Sequence, residues 1–320
     1  MNKKIKFIDL FCGLGGFRLA LEKQNCNCVF SSDIDKAVAQ VYENNFGEYP
    51  SGDITKIDAK EIPDFDILCG GFPCQSFSIA GKRLGFEDSR GTMFFEVARI
   101  LKEKQPKAFI LENVKGITNH DNGKTLKTIL NILDELGYTY VYKVINAKDF
   151  GIPQNRERWY CVGVRKNLNL DITEDKIFPI KRDSLFTFDD VIDSSNIYKE
   201  YKISDTCKKN IQMHSHKLKD RKSKYTLAYE IRPSRCQFKS DGVSPCLTAK
   251  MGTGGNNVPV VVELDRKLTE RECLKLMGYP DDYKIGKGFQ AYKQIGNSVV
   301  VPILEQISEN LVKIIKNETI

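Results

Sequence analysis

Nothing in this 320-residue chain approaches the length of a membrane span, and Ile5–Phe11 is short and contains Asp9. That stretch cannot serve as a signal-peptide core, even behind the basic start Met1-Asn2-Lys3-Lys4, so a cytoplasmic protein with no membrane partner is expected. Histidine is scarce: His120, His214 and His216 leave little material for a histidine-centred triad. The cysteines fall into no metal-ligand spacing. Cys26 and Cys28 are separated by one residue rather than two, and no nearby Cys or His pair completes a zinc site, so no metal is expected. Cys12, Cys69, Cys161, Cys207, Cys236, Cys246 and Cys273 give no disulfide framework either, because a chain of this size with 41% hydrophobic residues builds a core without one. A thiol inside an apolar run reads as a small buried hydrophobe. Internal repeats and low-complexity linkers are also missing.

What is present is an uneven charge. The formal net charge is +7, from 49 basic and 42 acidic residues. Residues 201–250 alone hold 12 Lys/Arg and 4 Asp/Glu, so this one segment carries the whole basic excess. A basic surface confined to one segment suits a polyanion, although a solvated basic face has the same composition.

The first half alternates two periodicities. Ile5–Phe11, Cys28–Ser32, Phe65–Cys69, Ala108–Leu111, Tyr140–Ile145 and Trp159–Val164 are short, apolar and β-branched or aromatic. Helical patterns lie between them at Phe17–Lys23, Ala37–Asn44, Met93–Lys104 and Thr125–Leu136, the last stopped by Gly137. This alternation predicts an α/β fold with a doubly wound, mostly parallel sheet. The pattern breaks after about residue 170. Residues 171–265 mix short strand-like pieces with lysines and turn residues, which predicts a smaller, loop-rich, β-containing domain. Thr269–Met277 and Ile303–Ile315 are further predicted helices, the second suited to pack back on the first domain. The expected division is 1–175, 176–265 and a return segment, 266–320.

Several strand ends carry chemistry. Phe7–Gly16 runs from a strand through Gly13-Leu14-Gly15-Gly16 into a helix, and its spacing differs from the G-x-G-x-x-G of dinucleotide enzymes. Asp33 ends the next strand about 20 residues on, where a ribose-binding carboxylate belongs. Asp53 offers a second acid. No Lys-Ser/Thr phosphate grip is present, so a nucleoside cofactor without a pyrophosphate fits better than a nucleotide. After Phe65–Cys69 come Gly70-Gly71-Phe72-Pro73-Cys74, which put a thiol among polar turn residues. A thiolate is a strong nucleophile once positive charge or amide donors lower its pKa. Ala108–Leu111 delivers Glu112 to the same edge, and Gln154-Asn155-Arg156-Glu157-Arg158 precedes Trp159–Val164. Singly, these are a buried thiol, a capping acid and a surface charge run. Together they form a candidate site.

Phe7–Gly16, Gly71–Gln75, Glu112-Asn113-Val114, Gln154–Arg158 and Gln294-Ile295-Gly296-Asn297-Ser298-Val299 resemble the ordered motif set of the cytosine-5 DNA methyltransferases of bacterial restriction-modification systems. The resemblance covers 5–165 and 267–302. It implies a Rossmann-like methyltransferase sheet, a target-recognition domain in the middle, S-adenosylmethionine as methyl donor and S-adenosylhomocysteine as product. It implies double-stranded DNA as substrate, a nucleoid-associated location and a cognate restriction endonuclease acting on the same site, and a single chain that holds every motif suggests that a monomer suffices.

The resemblance also implies roles. Cys74, Glu112, Arg156 and Arg158 are the catalytic set. Phe11, Gly13, Leu14, Gly16, Asp33, Ile34, Asp53, Ile54, Gly71, Pro73, Asn297, Ser298 and Val299 are the cofactor set, with Ile34 where some relatives carry a larger aromatic. Phe72, Gln75, Ser78, Lys82, Ser89 and Arg90 belong with a loop, Gln75 to Thr92, that closes over a flipped cytosine. Arg232, Arg235, Gln237, Thr248, Gly255 and Asn256 are candidates for reading DNA, since major-groove recognition favours arginine, glutamine and asparagine.

Three alternatives compete. A tRNA cytosine-5 methyltransferase shares the fold, but the Cys-Phe-Thr of the animal and plant branch is missing. A nicotinamide oxidoreductase shares the glycine turn but explains neither Pro73-Cys74 nor the later motifs. A non-catalytic DNA-binding relative would not need Cys74, Glu112, Arg156 and Arg158 together.

Overall fold

The computed structural model describes residues 4–73, 93–182, 186–195, 199–218 and 221–317. The chain divides into two compact units, the first comprising 1–145, 157–180 and 303–320, the second 146–156 and 181–302.

The first unit runs β1 (Lys6–Leu10), α1 (Gly16–Glu22), β2 (Asn27–Ser32), α2 (Lys36–Phe46), β3 (Ile67–Gly71), α3 (Met93–Lys104), β4 (Ala108–Val114), α4 (Lys124–Glu135), β5 (Tyr138–Asn146), β6 (Glu157–Arg165) and the short α5 (Glu174–Ile177). Its six strands form one sheet in the order β2-β1-β3-β4-β6-β5. Neighbours from β2 to β4 are parallel, whereas β6 runs antiparallel to β4. Consecutive residues Phe7–Leu10 and Ala108–Asn113 are all buried, which requires cover on both faces. On one face Ile8, Leu10, Leu68, Phe109 and Leu111 meet Phe94, Val97 and Leu101 of α3 and Ile129 and Leu133 of α4. Helix ends follow local chemistry. Asp35 caps α2 by accepting from the Ala37 and Val38 N–H groups, and Gly47 ends it at φ 71°. Gly137 takes φ 84° just after α4.

The second unit contains α6 (Asp205–Met213), β7 (Leu227–Arg232), β8 (Arg235–Lys239), β9 (Val260–Val261), β10 (Arg266–Lys267), α7 (Glu270–Lys275) and α8 (Phe289–Asn297). Its strands pair antiparallel in the order β10-β9-β7-β8. Cys207 and Ile211 of α6 seal the small core of Ala228, Ile231, Cys236 and Val260. Thr269 and Glu272 form a capping box on α7, and Glu272 also binds buried Arg266 at 2.7 Å. The last helix, α9 (Val301–Asn317), lies in the first unit from Ile303 onward. It buries Leu304, Ile307, Leu311 and Ile315, and Asn310 donates to the Ile177 carbonyl at 3.1 Å.

Three helices escape the sequence pattern, the four-residue α5 being too short to show a period. α6 offers only Cys207 and Ile211 as buried apolar residues among lysines, too few to set a period. α8 includes Gly296, an unfavourable helix residue, because a side chain there would strike the Thr248 backbone. No helix among the described residues is long and apolar enough to cross a membrane.

Candidate active site

The glycine turn after β1 needs left-handed backbone at Phe11 (φ 54°), Gly13 (φ 52°) and Gly15 (φ 69°). At Gly15 any side chain would also collide with Phe46, 2.3 Å from the position a Cβ would take. Asp33, at the end of β2, closes the turn from beside it. Its Oδ2 accepts from the Gly13 N–H and its Oδ1 from the Asp35 N–H, both at 2.9 Å. Burial raises the Asp33 carboxyl above the usual carboxylate range, while these two N–H donors pull it down. Each oxygen keeps lone-pair capacity for a hydroxyl donor. Next to it Ile34 projects an apolar side chain that is 73% exposed. An acceptor carboxylate beside an exposed apolar face suits a ribose and its base, so these residues fit a nucleoside-containing cofactor. Leu14 and Gly16 are buried. Asp53 accepts from the Thr55 N–H at 3.1 Å and its hydroxyl at 2.8 Å, and these bonds lower its pKa. Ile54 behind it is buried in the core.

β3 ends at Gly71, directly opposite Glu112 on β4. Phe72 is buried, Pro73 is exposed, and Cys74, Gln75, Ser78, Lys82, Ser89 and Arg90 lie outside the described residues. Glu112 sits within β4 and Arg158 within β6, not beyond the strand ends as the sequence pattern predicts. The β4–β6 ladder continues through Asn113–Trp159 and Val114–Arg158. That register makes Glu112 and Arg158 diagonal neighbours, and Arg158 Nε pairs with Glu112 Oε1 at 3.1 Å, both side chains nearly buried. Arg158 also donates to the Glu157 carbonyl at 2.8 Å.

Arg156 belongs to the second unit and is 2% exposed. Its guanidinium donates to the carbonyls of Leu247 (2.6 Å), Gly296 (3.2 Å) and Ser298. Gln154 does similar work. It donates to the Leu276 carbonyl at 2.9 Å and accepts from the Leu247 N–H at 3.1 Å. Asn297 follows as an exposed residue, and Ser298 and Val299 are buried. The sequence reading gives Gln154 and Asn113 no part of their own. Buried Asn113 donates to the Phe72 carbonyl at 2.8 Å and so fixes the backbone just ahead of Pro73. Its place beside Glu112 in a motif was the available signal.

The family model for the C-5 cytosine-specific DNA methylases matches residues 5–313. The chain belongs to that family. It is 46% identical to the type II methyltransferase M.HhaI of Haemophilus parahaemolyticus over 96% of this chain and 94% of that one. It is 42% identical to M.HpaII of Haemophilus parainfluenzae over 99% and 92%. The Dnmt2 methyltransferase of S. pombe superposes with a TM-score of 0.74 at 20% identity, covering 99% of this chain and all of the other, which speaks to the fold alone. The protein is a DNA cytosine methyltransferase with a Rossmann-like α/β sheet and a smaller β-containing part. Covalent catalysis through a cysteine and use of S-adenosylmethionine are general for this family.

Proposed function

We propose that this chain methylates carbon 5 of a cytosine flipped out of a short duplex DNA sequence, with Cys74 as its nucleophile. The observation that carries the residue assignment is the Glu112–Arg158 pair one strand over from Gly71-Phe72-Pro73. Eight of the nine cysteines among the described residues are buried, and burial pushes Cys28 to about 12 and Cys26 to about 11. Such thiols stay protonated and make poor nucleophiles.

Carbon 5 of cytosine is a weak nucleophile. The Cys74 thiolate adds to carbon 6, forming the S–C6 bond while the C5–C6 π electrons become available at carbon 5. Glu112 accepts from the exocyclic amine and shares a proton with ring N3, stabilising the charge that develops there. Arg158 donates to the base oxygen and holds Glu112 in place. Arg156 fixes the Leu247 and Gly296–Ser298 backbone. S-adenosylmethionine supplies the electrophilic methyl group, and a base then removes the carbon 5 proton so that the thiolate leaves and the double bond returns. Ring atoms are out of reach within a duplex, so the base leaves the stack at a cost of about a few kcal/mol.

In the first unit Phe11, Gly13, Leu14, Gly16, Asp33, Ile34, Asp53, Ile54, Gly71 and Pro73 hold this cofactor, Asp33 at the ribose and Ile34 against adenine. The family motif Gln294–Val299 adds Asn297, Ser298 and Val299 to the cofactor set. The DNA set is Phe72, Gln75, Ser78, Lys82, Ser89 and Arg90 for the flipped base, with Arg232, Arg235, Gln237, Thr248, Gly255 and Asn256 for the sequence. The enzyme acts as a monomer in the cytoplasm, beside a restriction endonuclease that cuts the same site.

The test uses methyl-labelled S-adenosylmethionine and mixed-sequence duplex DNA, wild type beside Cys74→Ser, with methylcytosine mapped at base resolution. Label at one short motif, absent with the variant, is the expected result. Label on tRNA and none on duplex DNA would move the assignment to the RNA-modifying branch.

A further inference from the structure

The hairpin of β7 and β8 is irregular at its tip. Tyr229 pairs with Gln237 and Arg232 with Arg235, so Glu230 and Ile231 on β7 stand against the single residue Cys236 on β8. This is a β-bulge, and its first residue takes φ 53°. Glycine is the residue suited to that backbone, yet the position holds glutamate. Its carboxylate has a use: it forms an ion pair with Arg235, and both side chains are about half exposed, at 48% and 58%. The remainder of the tip is held from two other directions. Arg232 donates to Asn257 Oδ1 at 2.6 Å, and Asn257 donates to Thr253 Oγ1 at 3.1 Å and to the Gly254 carbonyl at 2.7 Å. Buried His214, just after α6, contacts the Pro233 carbonyl through Nε2 at 3.0 Å. The tip is therefore preorganised, and the exposed pair at its end belongs to the basic segment 201–250.

Taking the DNA methyltransferase reading as its basis, we propose that Arg235 and Glu230 together read one G·C base pair in the major groove. Guanine offers O6 and N7 as paired acceptors, which match the two-donor fork of arginine. Its partner cytosine offers the N4 amine as a donor, which a carboxylate accepts. An arginine held by a glutamate presents both complements side by side. Arginine on guanine selects the pair, and the carboxylate on the cytosine amine adds a second contact to the same pair. A phosphate would select the arginine and repel the glutamate, so a backbone contact does not account for the couple.

The test maps methylation on a pool of duplexes randomised around cytosine, for wild type, Arg235→Ala, Glu230→Gly and the double variant. Glu230→Gly suits the φ of the bulge and removes the side chain with its carboxylate, so its hairpin is expected to survive. The wild-type motif should contain an invariant G·C pair besides that of the target cytosine. Both single variants should relax that same position by about 5- to 150-fold, the value of one bidentate base contact, and leave the other positions unchanged. The double variant should relax it no further than the worse single one. Relaxation at two different positions, or a uniform loss of rate with an unchanged motif, overturns the shared readout. A wild-type protein that methylates no duplex overturns this inference and the methyltransferase assignment together, which distinguishes the two failures.

Discussion

Arg156 and Arg158 stand two residues apart and do different work. Arg158 reaches Glu112 across the β4–β6 ladder, while Arg156 is consumed by backbone carbonyls of the second unit. A third charged residue, Asp9, has no exposure at all on the strand below the glycine turn. Burial pushes its carboxyl well above the usual carboxylate range, nearby Arg18 offsets part of this, and Asp33 adds to it. The folded chain thus binds the Asp9 proton more tightly than the unfolded chain. Stability from this group is full below the unfolded value, about 3.9, and is lost as pH rises toward the folded one. Asp9→Asn removes that loss. Thermal melts should therefore place the variant above wild type at neutral pH, with the gap closing toward pH 4. A variant that melts lower than wild type at every pH would refute this account.

At the scale of elements, α8 and the short 3-10 turn Ala249–Thr253 meet without intervening side chains. A Cβ on Gly296 would lie 2.1 Å from the Thr248 carbonyl carbon, and one on Gly252 would lie 2.5 Å from Lys293 Cβ. Glycine is required on both partners, and Arg156 bonds Gly296 of α8 and Leu247 just ahead of the turn. Gly296→Ala must displace backbone rather than a flexible side chain, so it should destabilise by about 1–3 kcal/mol. A urea melt checks this, and a midpoint equal to wild type would show that the segments part easily. Since Thr248 and Asn297 flank the contact, the same variant should also weaken DNA and cofactor binding together.

Charge acts at the scale of the whole molecule. Segment 201–250 holds the basic excess, and Arg221, Lys222 and Lys224 are exposed there. Lysines of this kind neutralise phosphates without reading bases, so affinity for duplex DNA should fall linearly on a log–log plot against salt. Lys222→Gln should reduce that slope by about 1 and weaken all sequences alike. Binding assays at several salt concentrations decide it, and an unchanged slope would place Lys222 away from the DNA. The contrast with Arg235, expected to change one position of the motif, separates phosphate contacts from base contacts.

The sequence by itself determined the alternating sheet and helices of the first unit. Strand and helix periods are local, and each apolar run needs only neighbouring turns to define it. Met93–Lys104 was legible for that reason, and so was the helix begun at Thr269. The family was legible too, because its motifs recur in order along the chain. Only the tertiary structure decided what those motifs do to one another. That Glu112 and Arg158 are diagonal partners depends on the register of strands 46 residues apart. That Arg156 faces inward depends on carbonyls from residues 247, 296 and 298 converging on it. The glutamate in a left-handed bulge reads as an ordinary exposed acid until its partner strand is in place. Periodicity specifies elements, whereas the pairing of distant side chains follows from packing, which no local pattern encodes.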